Sequence, residues 1–463
     1  MKTIFIFITE GFRVRNVLYS DVLPLLQRSH RVVIIVPAAD VENVRCAFGG
    51  PNVLVEARPE SPMRFESKFA FVRRFLLSNP ARNKTVSVFS SIMKRDQPFH
   101  YWLVRNVNPW LGRSALVRRA WLSFEALINR GSEYAALFGR YRPSLVVTTD
   151  FGSQTHEVRI LRFAKRRGVK TASIVYSWDN FSSKGVMGAI ADRLVVWSDI
   201  MRQEARDLHD IDPANVDVCG AAQFDIYGRP EALDAREAFC RKVGLDPARP
   251  FITQGTITPR FFPTNIEISE IIIEAILRGA LPRGLQLLIR LHPQVVNPGV
   301  AADALEPYRA LERKHDFVKV DVPETKQWGS LVSPAATDAQ RLASILRHTE
   351  LMIHPGSTLA VDAAAMDCPV IGLGFDGHHP KPYDESIRRW WDFSYMQPVV
   401  RSGGQPVASS RDELIRLILR YLGDRTLDRE GRQAIVRDVC HRVDGRSSER
   451  VVAVFNRMLD SAA

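Results

Sequence analysis

The chain has 463 residues, 46% of them hydrophobic and 25% charged, which suits a globular protein of two or three domains. That composition excludes disordered, collagen-like and disulfide-scaffold classes, and five cysteines with no Cys-x-x-Cys spacing read as scattered buried thiols in a reducing compartment. The formal net charge is +12, and residues 61–140 alone hold 14 Lys/Arg against 4 Asp/Glu, so nearly all the excess sits in one stretch.

The opening run MKTIFIFI (1–8) is cut short by Glu10, Arg13 and Arg15, so it reads as a buried first strand and not as a leader. A loop over 10–16, a helical run to about Arg28 and the strand RVVIIVP (31–37) complete a strand–helix–strand unit. No Gly-x-Gly-x-x-Gly lies in the connection. Residues 61–140 read as helices with apolar faces, broken near Pro80 and Pro109, and include Trp102, Trp110 and Trp121. Alternation returns with a strand over 144–150 ending in Asp150, a helix over 155–167, strands over 171–180 and 193–199, and a helix over 200–209 leading into 216–225.

Residues 226–250 have no strand signal and read as a linker. Then strands over 251–255, 285–293, 317–320, 350–356 and 369–375 alternate with helices over 265–279, 301–315, 338–348, 358–366 and 410–422. A turn at Asp444-Gly445 precedes a closing helix. The expected architecture is α/β: two Rossmann-like domains facing a central cleft, 1–225 (with 61–140 as a basic helical insertion) and 251–440, and a C-terminal helix over 441–463 packing back toward the first domain. No apolar run approaches the length of a membrane-spanning helix. The chain is expected in the cytoplasm, its basic aromatic insertion suited to the inner face of the cytoplasmic membrane.

Three stretches of the second half carry candidate chemistry. In HPGSTLAVDAAA (354–365), Pro355 and Gly356 turn the chain, and Ser357 and Thr358 open a helix whose free amides suit a phosphate. Asp362, four residues after Thr358, shares its face and suits ribose hydroxyls; Asp376 follows the next strand. In LLIRLHP (287–293), Arg290 and His292 end a strand as a cationic pair for a leaving phosphate. In TQGTITPRF (253–261), Gly255, Thr256 and Arg260 can add amides, a hydroxyl and charge.

The strand, Pro-Gly-Ser-Thr, small-residue helix and following Pro-Val-Ile-Gly of 350–372 resemble the donor-nucleotide signature of GT-B glycosyltransferases, with Asp362 where many relatives carry Glu. His292-Pro293 resembles the His-Pro motif of bacterial sialyltransferases, capsule Kdo transferases and glycerophosphotransferases, and SWDNFSSKG (177–185) resembles a segment of some surface-polysaccharide transferases. The resemblance implies a metal-independent glycosyltransferase with no cofactor. It would move a sugar from a nucleotide-sugar donor to a hydroxyl of a surface-glycan or lipid-linked acceptor. His292 would act on the leaving phosphate. An acid of the first half would serve as base: Asp150 first, then Glu10 and Asp179. A glycerophosphotransferase of the CDP-glycerol type, a sugar-nucleotide 2-epimerase and a silent scaffold are the rivals. A nucleic-acid partner is not expected, since the basic stretch has no RRM, KH or helix-turn-helix pattern. Asp210 with Asp212, and His378 with His379, lack the further ligands a metal needs.

Overall fold

The apolar runs become strands because both faces of each are covered, which requires continuous Val, Ile and Leu rather than alternation. The computed structural model describes residues 1–60, 65–296 and 304–461. They form two compact units. The first holds the described residues up to 225 together with 326–333 and 441–461; the second holds those of 226–325 and 334–440.

The first unit is built on β1 (Thr3–Phe7), β2 (Arg31–Val36), β3 (Val53–Ala57), β4 (Leu145–Thr148), β5 (Lys170–Ile174), β6 (Arg193–Val196) and β7 (Val216–Val218). All are parallel in the order β3-β2-β1-β4-β5-β6-β7. The register pairs Ile4 with Val32 on one side and with Leu145 on the other. The closing helix Ser447–Asp460 lays Val451, Phe455 and Leu459 into the same core as Ile4, Ile6 and Val14. Its first turn is capped from afar, Asp225 accepting from the amides of Ser447 (2.7 Å) and Ser448 (2.9 Å).

The second unit is built on β8 (Phe251–Gly255), β9 (Gln286–Arg290) and β10 (Val318–Asp321), then β13 (Met352–His354), β14 (Val370–Leu373) and β15 (Val407–Ala408), parallel in the order β10-β9-β8-β13-β14-β15. Between them β11 (Thr325–Gln327) and β12 (Val332–Pro334) form a separate pair. That pair brackets residues 326–333, where Asp40 accepts from the amides of Ser330 and Leu331 and from the Ser330 hydroxyl. The 226–250 segment, read as a linker, contributes the helix Arg236–Val243, whose Phe239 and Cys240 join the second core.

Several expectations are corrected. The 10–16 loop is the start of the helix Gly11–Val17, with Val14 and Val17 buried. The helix Pro98–Leu111 runs through Pro109, which lies close enough to its end to forfeit little hydrogen bonding. The strand β3 was not anticipated, because it is short, ends in Glu-Ala and is followed by Arg-Pro. Cys46 is exposed while the other four cysteines are buried. The first residues of the expected helix 301–315 lie outside the described residues, and the helix seen is Glu306–Lys314. Among the described residues no helix is long and apolar enough to cross a membrane.

Candidate functional sites at the carboxyl edges of the two sheets

Each sheet reverses its strand order once, at β1/β4 in the first unit and at β8/β13 in the second. Loops leaving two such strands diverge to opposite faces and open a crevice at their carboxyl ends. Glu10 and Asp150 follow the reversal strands β1 and β4, and Thr256, Arg260, Ser357 and Thr358 follow β8 and β13, whereas Asp179 follows β5, Arg290 and His292 close β9, and Asp376 follows β14, each on a strand beside a reversal.

In the second unit β8 ends at Gly255 and β13 at His354. A Cβ on Gly255 would lie 2.3 Å from Leu359 Cδ1, so this glycine serves close packing and not a ligand. Gly356 has φ +87°, which lets the chain turn directly after Pro355. His354, fully buried, accepts at Nδ1 from the amides of Gly356 (3.1 Å) and Ser357 (3.0 Å). Burial lowers its pKa to about 4, so the ring is neutral with its proton on Nε2. Two amides offered in sequence to a phosphate are therefore spent on His354. What remains outward is Ser357, half-buried, and Thr358, exposed.

His292 repeats the device. Its Nδ1 accepts from the Gln294 amide (3.1 Å), and its own amide donates to Thr256 Oγ1 (2.8 Å). Burial, reinforced by the Arg290 charge, lowers its pKa to about 4. The ring is thus a neutral Nε2–H donor at pH 7, not half of a cationic pair. Thr256 is occupied as well, its amide donating to the Arg290 carbonyl.

Arg290 is also corrected. Its guanidinium is buried and spans Asp321 (2.5 Å) and Asp338 (2.7 Å to each oxygen). It braces the sheet edge, its charge met by two buried carboxylates and not by a phosphate. Asp376 is buried and accepts from the amides of Lys381 and Ile387, shaping the loop between them. Asp362 is buried and accepts from the Tyr227 hydroxyl at 2.6 Å, so a ribose contact there would have to displace Tyr227. Arg260 is exposed on the loop after β8.

In the first unit Arg13 is among the most buried side chains. Nη2 reaches Asp150 (3.0 Å) and Glu10 (3.1 Å), and Nη1 reaches Glu157 (2.7 Å) and Thr9 (2.5 Å). Tyr176 stacks against the guanidinium at 5.1 Å. Asp150, the first-ranked base, is fully buried and has no free oxygen. Oδ1 takes Arg13, and Oδ2 takes the amides of Ser153 (2.9 Å) and Gln154 (3.0 Å) and the Ser153 hydroxyl (2.8 Å). Burial alone would raise its pKa, but the Arg13 charge and these amides outweigh it and hold the group ionised. It holds the turn that leads into the helix Thr155–Arg166 and is an ion-pair partner.

Glu10 differs. Its side chain is 43% exposed at the end of β1. Oε1 accepts from Gln154 Nε2 at 2.7 Å while Oε2 faces Arg13, so the carboxylate is oriented yet open to solvent. Asp179 is half-buried, each oxygen held by a hydroxyl, Ser177 at 2.5 Å and Ser183 at 2.6 Å. Gln154 and His354 were not anticipated. Gln154 acts from a distant loop, whereas a buried strand-end His before Pro-Gly could have been read as a turn-shaping acceptor.

One cation cannot neutralise three carboxylates, and Glu157 bears the consequence. Burial pushes its pKa up to about 8 despite Arg13. The folded state then holds a proton there that the unfolded chain releases above about pH 4.3. That contribution to stability is lost as pH rises from there toward 8. Glu157→Gln is expected to flatten this part of the pH–stability curve, read by urea unfolding at pH 5 and pH 8. An unchanged slope would show that Glu157 is ionised throughout.

Among the described residues no group of three His, Cys, Asp or Glu can hold a metal. No family model matches the chain, and no curated protein matches it. Solved structures do match in fold. Staphylococcus aureus MnaA in complex with UDP superposes with a TM-score of 0.54 at 12% identity, covering 99% of this chain and 97% of that one. The Neisseria meningitidis UDP-GlcNAc 2-epimerase bound to UDP-GlcNAc gives 0.52 at 10% identity, over 99% and 100%. A glycosyltransferase from Rickettsia africae gives 0.51 at 12% identity, over 100% and 99%. These likenesses establish the fold: two parallel-sheet α/β units of the GT-B type.

Proposed function

We propose that the chain is a nucleotide-sugar-dependent glycosyltransferase that acts without a metal or cofactor. The observation that carries this reading is the carboxyl edge of the second sheet around its order reversal. The half-buried His292 after β9 offers a neutral Nε2–H, Ser357 and Thr358 after β13 offer hydroxyls, and Arg260 is exposed on the loop after β8. Donors that are fixed before the reaction stabilise charge growing on a leaving nucleotide phosphate at no cost in reorganisation. The acceptor would be a glycan or lipid-linked hydroxyl, its proton taken by Glu10 of the first unit. Peripheral contact with a membrane through the helical insertion belongs to the same reading.

A second reading, a sugar-nucleotide 2-epimerase, is favoured by the fold likeness to the Neisseria meningitidis UDP-GlcNAc 2-epimerase and is equally compatible with the nucleotide edge. One experiment separates them. The protein is incubated in D2O with UDP-, GDP- and CDP-sugars identified by thermal shift. Deuterium at C2 of the sugar without an acceptor marks an epimerase; nucleotide release that requires an acceptor marks a transferase. If no nucleotide shifts the melting point, both readings fall.

His292 gives a further expectation. His292→Ala should lower kcat by the value of one hydrogen bond to a charged group, about 1.5–3 kcal/mol of barrier, with little change in KM for the donor. Because the ring is already neutral above about pH 4, the kcat/KM profile should lack a histidine limb near pH 6.5. A limb there that vanishes in His292→Ala would show that the cationic form is the active one.

A further inference from the structure

The helical insertion of the first unit leaves apolar surface uncovered in an ordered pattern. Along the helix Ala115–Ile128, Leu116 is 75%, Phe124 50% and Leu127 65% exposed. With exposed Ala120 between them, these residues fall on one helical face. On the preceding helix Phe99 (67%), Trp102 (56%) and Trp110 (81%) recur at three- and eight-residue steps, Phe99 stacked on Trp102. Between residues 97 and 132 the only acid is Glu125, and it is buried against Arg73 at 3.0 Å.

The Leu127 end of that face opens into a cavity of about 490 Å³ lined by Ala126, Leu127, Arg130, Ser132, Phe163, Arg166 and Arg167. Three of these are arginines and none is acidic. Arg167 lies over the Phe163 ring at 5.2 Å, and Arg130 donates to the Leu127 carbonyl. Among the described residues none of the three meets a carboxylate. The cavity thus pairs three exposed guanidinium groups, none ion-paired among the described residues, with an apolar wall.

We propose that this cavity receives the phosphate of an anionic phospholipid headgroup, with Leu116, Phe124 and Leu127 entering the acyl boundary beside it. The inference rests on the peripheral-contact reading and adds the lipid group recognised and the residues that recognise it. Guanidinium forks match phosphate oxygens bidentately. Exposed aliphatic and aromatic side chains beside them favour a bilayer over a free anion, which would leave them in water. A nucleic acid would meet the cations but would gain little from Leu116 and Leu127.

The test is flotation of the full chain with vesicles of phosphatidylcholine alone or mixed with phosphatidylglycerol. Binding is expected only to the anionic vesicles, and the charge-conserving Arg166→Lys/Arg167→Lys variant is expected to lose about tenfold in affinity, since lysine keeps the charge but not the fork. Leu116→Ser/Phe124→Ser, at exposed positions that leave folding intact, should weaken binding at unchanged net charge. If the lysine variant binds as well as the parent, diffuse charge does the docking and the cavity assignment falls alone. If the parent fails to float at low salt, peripheral contact falls with it. Displacement of the protein from vesicles by a single-stranded oligonucleotide would reassign the surface to nucleic acid.

Discussion

Arg290→Met is expected to destabilise the protein by about 3–5 kcal/mol and to leave nucleotide affinity of the folded fraction unchanged. The guanidinium is buried, and it is held by two carboxylates, Asp321 on β10 and Asp338 in the first turn of the helix Ala336–His348. Methionine would fill the volume of the stem but would leave both carboxylates in the interior with only Arg341, 2.5 Å from Asp321, to oppose them. Breaking such a cluster by removing one partner costs far more than replacing all of it. Arg290→Met/Asp321→Leu/Asp338→Leu should therefore regain much of the lost stability. Urea midpoints supply the stability values and calorimetry the nucleotide affinity. Parent-like stability with weakened nucleotide binding would return Arg290 to the phosphate.

That expectation marks where sequence reading stops. Arg-x-His-Pro at a strand end placed two polar residues correctly at the carboxyl edge, because a run of Leu, Leu, Ile fixes a buried parallel strand and its end. Which way each side chain is spent depends on partners thirty or more residues away, Asp321 and Asp338, and no local pattern reveals them. The same limit misassigned Asp150. A strand-end acid five residues before a helix has the spacing of a base and of a turn-holding acceptor alike, and the amides of Ser153 and Gln154 decide for the turn. His292 misled in a subtler way, and the unanticipated His354 repeats its geometry. Each precedes a turn, and each uses Nδ1 to hold an amide two residues on, so burial keeps the rings neutral. Strand and helix order across both units was legible from apolar runs of five or six residues. The short β3, β11, β12 and β15 were not, since two to five residues carry too little hydrophobic pattern.

Glu10→Gln is expected to reduce turnover with the physiological acceptor by roughly 10²–10⁴-fold while leaving donor binding and stability near the parent values. The carboxylate sits at the end of β1, where the sheet order reverses, with Gln154 Nε2 on one oxygen and Arg13 on the other. Both neighbours donate, so both hold the carboxylate in one orientation. The amide variant keeps size and one acceptor oxygen but cannot take a proton. It also places an N–H₂ near a donor, and Gln154 can turn its own amide to compensate, which limits the structural cost at an exposed position. Asp179→Asn provides the contrast. Its carboxylate is tied to Ser177 and Ser183, so its loss should appear mainly as weakened stability around residues 177–183. The decisive measurement is single-turnover sugar transfer at saturating donor and acceptor, which should be fast in the parent and slow in Glu10→Gln, with donor affinity by calorimetry the same in both. If Glu10→Gln turns over normally and Asp179→Asn does not, the base is at the end of β5 and the order of these two acids is reversed.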